Sequence, residues 1–232
     1  MKKNAPSYRG YRFPPEVISH AVWLYHRFSL SFRDVEDLLA ERGVQVSYEA
    51  IREWCLKFGP EYARRLKRRQ GRLGDTWHLD EVFVTIRGRL YYLWRAVDQD
   101  GDVLDILVQP RRDRKAAARF FRRILKGQGA EPRRIVTDKL RSYSAAHRTV
   151  MPFVPHDTGR YANNRIEVSH EATRLRERIM RRFKSPAQAQ RFLSLHGLVQ
   201  NLFRVGRHLL RATNYRRLRS RSLATWHAAA HA

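Results

Sequence analysis

Thr76-Trp77-His78-Leu79-Asp80-Glu81-Val82-Phe83-Val84-Thr85-Ile86 decides how this chain folds. Its side chains alternate, with Trp77, Leu79 and Phe83 on one side and Val82, Val84 and Ile86 on the other. That pattern predicts a β-strand covered on both faces. Asp80 stands inside it, between Leu79 and Val82 and on the face opposite Trp77. Burying an unpaired carboxylate costs roughly several kcal/mol, so an acid in this setting requires a cationic partner or a chemical role.

Downstream, Gly88 marks a turn, residues 90–97 a second strand rich in Tyr and Trp, and Asp98-Gln99-Asp100-Gly101 a hairpin into a third strand at 103–108. Residues 113–126 have helical periodicity, with Ala117, Phe120, Phe121 and Ile124 inward. Residues 134–137 form a short apolar strand that ends at Asp138. A helix at 142–150, a last short strand at 153–155 and helices at 162–183 and 186–208 complete the pattern. The fold class expected is α/β: a ribonuclease H-like mixed sheet with flanking helices, preceded by a small all-α domain and followed by C-terminal helices.

Upstream, residues 15–70 read as helices. Pro15 starts the first, with Val17, Ile18, Ala21, Val22, Leu24 and Tyr25 as its apolar stripe. Ser31 and Asp34 have capping-box spacing for the second, whose Val35, Leu38 and Leu39 face inward. Gly43 ends it, and Ser47 caps a third helix that buries Ile51, Trp54, Cys55 and Phe58. The last two helices make a helix-turn-helix whose open face offers Tyr48, Glu49, Arg52 and Glu53 to a groove; a plain three-helix packing unit is the alternative. The basic run from Arg64 to Arg69 closes this segment. The domains expected are 1–70 (helix-turn-helix), 71–184 (catalytic core) and 185–232 (a basic C-terminal helical region).

Charge narrows the function. Lys and Arg number 47 against 22 Asp and Glu, for a net charge of +25. A body of 232 residues that is 43% hydrophobic can bury a core, so this is no disordered basic tail. Such a charge calls for a polyanionic partner, nucleic acid first of all. From Ala172 onward there are 14 basic residues and one acid, Glu177. The single cysteine excludes a disulfide framework and a cysteine-based zinc site. Neither a signal peptide nor a membrane-length apolar run is present, so a soluble intracellular protein is expected.

If Asp80 and Asp138 bind Mg²⁺, which takes oxygen ligands, a third acid is required. Downstream of Asp138 only Asp157, Glu167, Glu171 and Glu177 are available. Glu167 borders the stripe Val168, Ala172, Leu175 and Ile179, with His170, Arg174 and Arg178 following at helical spacing. Glu171 is its nearby rival.

Five segments carry a family resemblance: Leu38-Leu39-Ala40-Glu41-Arg42-Gly43-Val44, Trp77-His78-Leu79-Asp80-Glu81, Thr137-Asp138-Lys139, Asn163-Asn164-Arg165-Ile166-Glu167 and Arg182-Phe183-Lys184. In this order they resemble the DDE-type transposases of bacterial insertion sequences, in the family called insertion sequence six, from about Tyr11 to Trp226. Arg174 fits the family's basic position seven residues after the third acid. The resemblance implies Asp80, Asp138 and Glu167 as the catalytic and metal-binding acids, with Mg²⁺ as the ion and Mn²⁺ able to substitute. It favours Glu167 over Glu171 through the Asn-Asn-Arg context. It also implies 3′-end cleavage and strand transfer on DNA by a replicative, cointegrate-forming route. Lys139 and Arg174 would position phosphates, Arg178, Tyr48 and Arg52 would add DNA contacts, and Glu81 would be a supporting or surface acid. The partners implied are terminal inverted repeats and target DNA, joined by a homodimer or larger synapse in the bacterial cytoplasm, at the nucleoid. The 28 residues between Asp138 and Glu167 are fewer than in the best-known members, which implies a trimmed loop around 151–161. A DNA-binding protein without catalysis and a ribonuclease H-type nuclease are the competing readings.

Overall fold

The computed structural model describes residues 6–71, 73–159, 162–206 and 209–231, with the side chains at 164, 165, 167–169 and 172 excepted. The chain divides into two compact units, Met1–Gln70 with Ser194–Ala232, and Gly71–Leu193.

The first unit is helical: α1 (Pro15–Arg27), α2 (Phe32–Glu41) and α3 (Tyr48–Arg69). Pro15 begins α1, where a missing N–H costs nothing. Ser31 and Asp34 form a complete capping box on α2, and the Ser47 side chain accepts from the Ala50 N–H at the start of α3. Gly43 takes a φ of +77° between α2 and α3, a conformation glycine adopts without strain. Ile18, Val22, Val35, Leu39, Ile51, Trp54 and Phe58 form the buried core. Leu38 and Cys55 depart from the expected inward set: Leu38 is exposed and Cys55 only half-buried, because the inward arc of each helix is narrower than its apolar stripe. The residues from Ser194 onward pack with these helices. In particular, Trp226 of α8 (Ala212–His231) sets its ring edge-on to Tyr62 of α3.

The second unit carries a five-stranded sheet in the order β3-β2-β1-β4-β5. β1 (Thr76–Ile86) and β2 (Arg89–Asp98) form a hairpin through Arg87 and Gly88, both at positive φ, as a type I′ turn requires. β3 (Val103–Gln109) continues antiparallel, while β4 (Arg134–Thr137) and β5 (His156–Asp157) run parallel to β1. Three antiparallel strands followed by two parallel ones in this order are the ribonuclease H-like arrangement.

Strand alternation divides the side chains of β1 and β2 between two layers. Trp77, Leu79 and Trp94 pack with Phe120, Phe121 and Ile124 of α4 (Arg114–Gln128) and Tyr143 of α5 (Arg141–Val150). The other face, with Asp80 and Arg95 opposite each other, meets α6 (Asn164–Ile179). α7 (Pro186–Phe203) follows, its Gln190 side chain bonded to β3 at Ile106 and Val108.

Two expectations shift. The last strand is His156–Asp157, not 153–155, because Pro155 serves only as acceptor for the Ile135 N–H while Phe153 stands 93% exposed. The inward face of α6 is not the stripe ending in Leu175 and Ile179. Leu175 is exposed, and Ile166, His170, Thr173 and Arg176 are buried, because α6 packs on the polar face of the sheet. Among the described residues, no helix is long and apolar enough to cross a membrane.

Candidate active site

The parallel pairing of β1 and β4 stops at Leu79↔Thr137, and the next residue on each strand is an aspartate. Asp80 and Asp138 therefore stand where the two strands part, the kind of strand end at which open α/β sheets bind ligands. Asp138 accepts a hydrogen bond from the Leu140 N–H at 3.0 Å. Burial raises its pKa, and the negative charge of Asp80 adds to the rise; the Leu140 N–H and Arg112 oppose it.

Glu81 joins them. Asp80, Glu81 and Asp138 each offer a carboxylate oxygen within 4.8 Å of the others. Alternation sends Glu81 to the α4–α5 face, level with Trp94, and its side chain is 1% exposed. Burial pushes its pKa up to about 7, against the lowering effects of Tyr143 and Arg112. Arg112, between β3 and α4, ion-pairs with Glu81 through Nε and brings Nη2 to 3.9 Å from the Asp138 carboxylate. Of the two readings of Glu81, as a supporting or a surface acid, the surface one is corrected: its side chain is buried in the acidic cluster, on the side of the strand that carries Trp77 and Leu79.

On the opposite face, the buried His170 of α6 places Nε2 3.2 Å from Asp80 Oδ2. One turn earlier lies Glu167, within α6 by its backbone; its side chain is outside the described residues. Glu171 is exposed. Asn163, at the head of α6, donates its side-chain amide to the Leu79 carbonyl at 2.9 Å. Arg95, opposite Asp80 on β2, donates to the Thr173 hydroxyl.

Lys139, Arg174 and Arg178 are exposed cations on the sheet unit. Tyr48 and Arg52 lie in the first turns of α3, in the helical unit. Arg33 stacks over the Tyr48 ring at 4.6 Å, and Arg52 is held by Glu49 at 2.7 Å and Glu53 at 3.3 Å. Arg112 and His170 were missed as functional residues in the sequence. Arg112 is one of many arginines, and the only signal for His170 was its place one turn after Glu167.

The chain is similar to several known proteins. A transposase family described as a DDE domain, of the IS240 type, matches residues 74–206. The transposase for insertion sequence-like element IS431mec of Staphylococcus aureus is 33% identical over 175 residues, spanning 73% of this chain and 78% of that protein. The transposase for insertion sequence element IS257 in transposon Tn4003, also from Staphylococcus aureus, is 32% identical over the same shares. Among solved structures, the HTLV-2 integrase catalytic core domain in complex with magnesium, in its trimeric form, aligns with a TM-score of 0.42 at 14% identity, over 62% of this chain and 94% of that one. With its family match lying across both strands that carry the paired aspartates, the chain belongs to the DDE transposases of the insertion-sequence-six family.

Proposed function

We propose that this transposase cuts the 3′ ends of its insertion sequence and transfers them to target DNA, with Asp80, Asp138 and Glu167 as its metal-binding acids. The observation that carries the reading is the meeting of Asp80 and Asp138, with Glu81 beside them, where β1 and β4 part. Three hard oxygen donors within 4.8 Å suit a divalent ion, Mg²⁺ with Mn²⁺ as substitute, and the raised pKa values of Glu81 and Asp138 mark carboxylates that a cation would relieve. Bound divalent ions supply activation of the attacking oxygen and stabilisation of the leaving oxygen at a scissile phosphate.

The protein's own groups supply position and charge. Asp138 is oriented by the Leu140 N–H, and Asp80 by His170. The exposed Lys139, Arg174 and Arg178 are suited to holding the DNA backbone, as the net charge of +25 is. Residues 1–70 serve as the helix-turn-helix that binds the terminal inverted repeats, with Tyr48 and Arg52 as contacts, and residues 71–184 as the catalytic core. The basic region 185–232 adds to the electropositive surface. Two ends must be joined together, so a homodimer or larger synapse assembles, and the route is replicative, leaving a cointegrate. The setting is the bacterial cytoplasm.

The test is strand transfer by purified protein on DNA carrying the terminal repeats, with Mg²⁺ or Mn²⁺. Asp80→Asn, Asp138→Asn and Glu167→Gln are each expected to abolish it. Full activity in any one removes that residue from the assignment.

A further inference from the structure

We infer that Asn163 and His170 are positioning residues that bracket Glu167 and fix its helix in register with β1 at Asp80. The inference rests on the reading of Glu167 as the third metal-binding acid.

Among the described residues, the side chains of Asn163, just before α6, and of His170, within it, reach adjacent residues of β1. Asn163 donates to the Leu79 carbonyl at 2.9 Å, and His170 lies 3.2 Å from Asp80 Oδ2. Positions 163, 167 and 170 follow one another at intervals of four and three, so they share one line along the helix. Glu167 thus stands between the two attachments, four residues after one and three before the other. A helix pinned at both points can neither slide nor turn at position 167 without breaking a bond to the strand that carries Asp80.

The chemistry of each attachment is specific. An asparagine at a helix start ordinarily caps its own helix through its side chain. Asn163 makes no such cap; its amide goes to the strand instead. His170 is buried, and to donate to an ionised Asp80 it must carry its proton on Nε2. His170 then engages one Asp80 oxygen, Oδ2. Hydrogen bonds of this kind to ligating carboxylates govern metal affinity, and their loss typically costs on the order of 10–100-fold.

The experiment uses the full chain and reads Mn²⁺ binding by electron paramagnetic resonance beside strand transfer. His170→Phe is expected to weaken Mn²⁺ binding by about 10–100-fold and Asn163→Ala to weaken it in the same direction, while His170→Gln, which retains a donor, recovers most of the loss. Thermal melts identify any variant that fails to fold. The diagnostic arm repeats His170→Phe in a Glu167→Gln background, where its effect on Mn²⁺ affinity shrinks if His170 acts through the Asp80–Glu167 pair. Equal losses in both backgrounds, or wild-type binding and strand transfer in Asn163→Ala and His170→Phe, overturn the bracket. If Glu167→Gln alone keeps full binding and activity, the third-acid reading fails and the bracket fails with it. An inactive Glu167→Gln beside fully active bracket variants sinks the bracket alone.

Discussion

Arg112 holds its Nε against a Glu81 carboxylate that is 1% exposed, while its own side chain stays one-third open to solvent. The pair is lopsided in burial: the acid is enclosed, with Tyr143 and Arg112 favouring its charge, while the arginine remains partly in solvent. Arg112→Ala strands a buried carboxylate, whereas a neutral residue at both positions strands nothing. We expect Arg112→Ala to lower unfolding free energy by about 1–3 kcal/mol above pH 7, where Glu81 is ionised, and adding Glu81→Gln to restore most of that. Urea unfolding of the single and double variants decides it; additive losses would contradict the pairing.

The same carboxylate makes stability depend on pH. Its folded pKa of about 7 lies above the ordinary 4.5, so the folded protein holds this proton more tightly than the unfolded chain does. The stabilisation is full below the unfolded value and is lost as pH rises through about 7. Asp138, also raised, acts in the same direction. Metal-free Glu81→Gln should match wild type near the acid end of that window and exceed it above pH 7, by on the order of 1–3 kcal/mol. Parallel stability curves across the window would refute this.

A third prediction concerns the turn after β2. Asp98 is buried, and its carboxylate accepts from the backbone N–H groups of Gly74, Asp100 and Asp102 at 2.8–2.9 Å. One side chain thus closes the β2–β3 hairpin and holds the chain entering β1. Asp98→Ala leaves three donors without it, and a loss of about 2–4 kcal/mol is expected. Amide exchange should quicken at Gly74 and Asp102 together; faster exchange at the hairpin alone would mean that the link to β1 carries no weight.

On the helical unit, Glu49 holds Arg52 at 2.7 Å, and the DNA contact proposed for Arg52 would have to compete with it. Glu49→Gln should release the guanidinium and tighten binding to the terminal repeats a few-fold. Arg52→Ala should weaken binding and, if the contact is to phosphate, flatten the salt dependence by roughly one unit of log–log slope. Fluorescence anisotropy over a salt series measures both. Unchanged binding in the two variants would remove Arg52 from the DNA contacts.

Much of the sheet was legible because its strands answer to simple rules. β1 alternates, Gly88 marks a turn, and Asp138 ends a short apolar strand. The burial of Glu81 was not legible: it shares parity with Trp77 and Leu79, but also with Phe83, which is exposed. α6 was harder to read. Hydrophobic periodicity assumes an oily inward face, yet this helix turns His170, Thr173 and Arg176 inward, toward a sheet face carrying His78, Asp80 and Arg95. A polar interface gives no apolar stripe, so Leu175 looked buried and is not. Arg112 was invisible for another reason: its partners, Glu81 on β1 and Asp138 just past β4, are distant in sequence, and nothing local distinguishes it from its neighbour Arg111.

β4 leaves the sheet beside Asp80 and Glu81, and that departure makes the order of the two acids matter. On a strand paired to its end, consecutive acids would be partitioned by the sheet and could not serve one centre. Here the wall ends, and acids belonging to opposite layers converge on a third. The dipeptide is therefore directional: writing it as Glu-Asp would keep the composition and the net charge, yet put the shorter acid beside Arg112 and the longer one beside His170. A chain so altered would carry the same residues and a different centre.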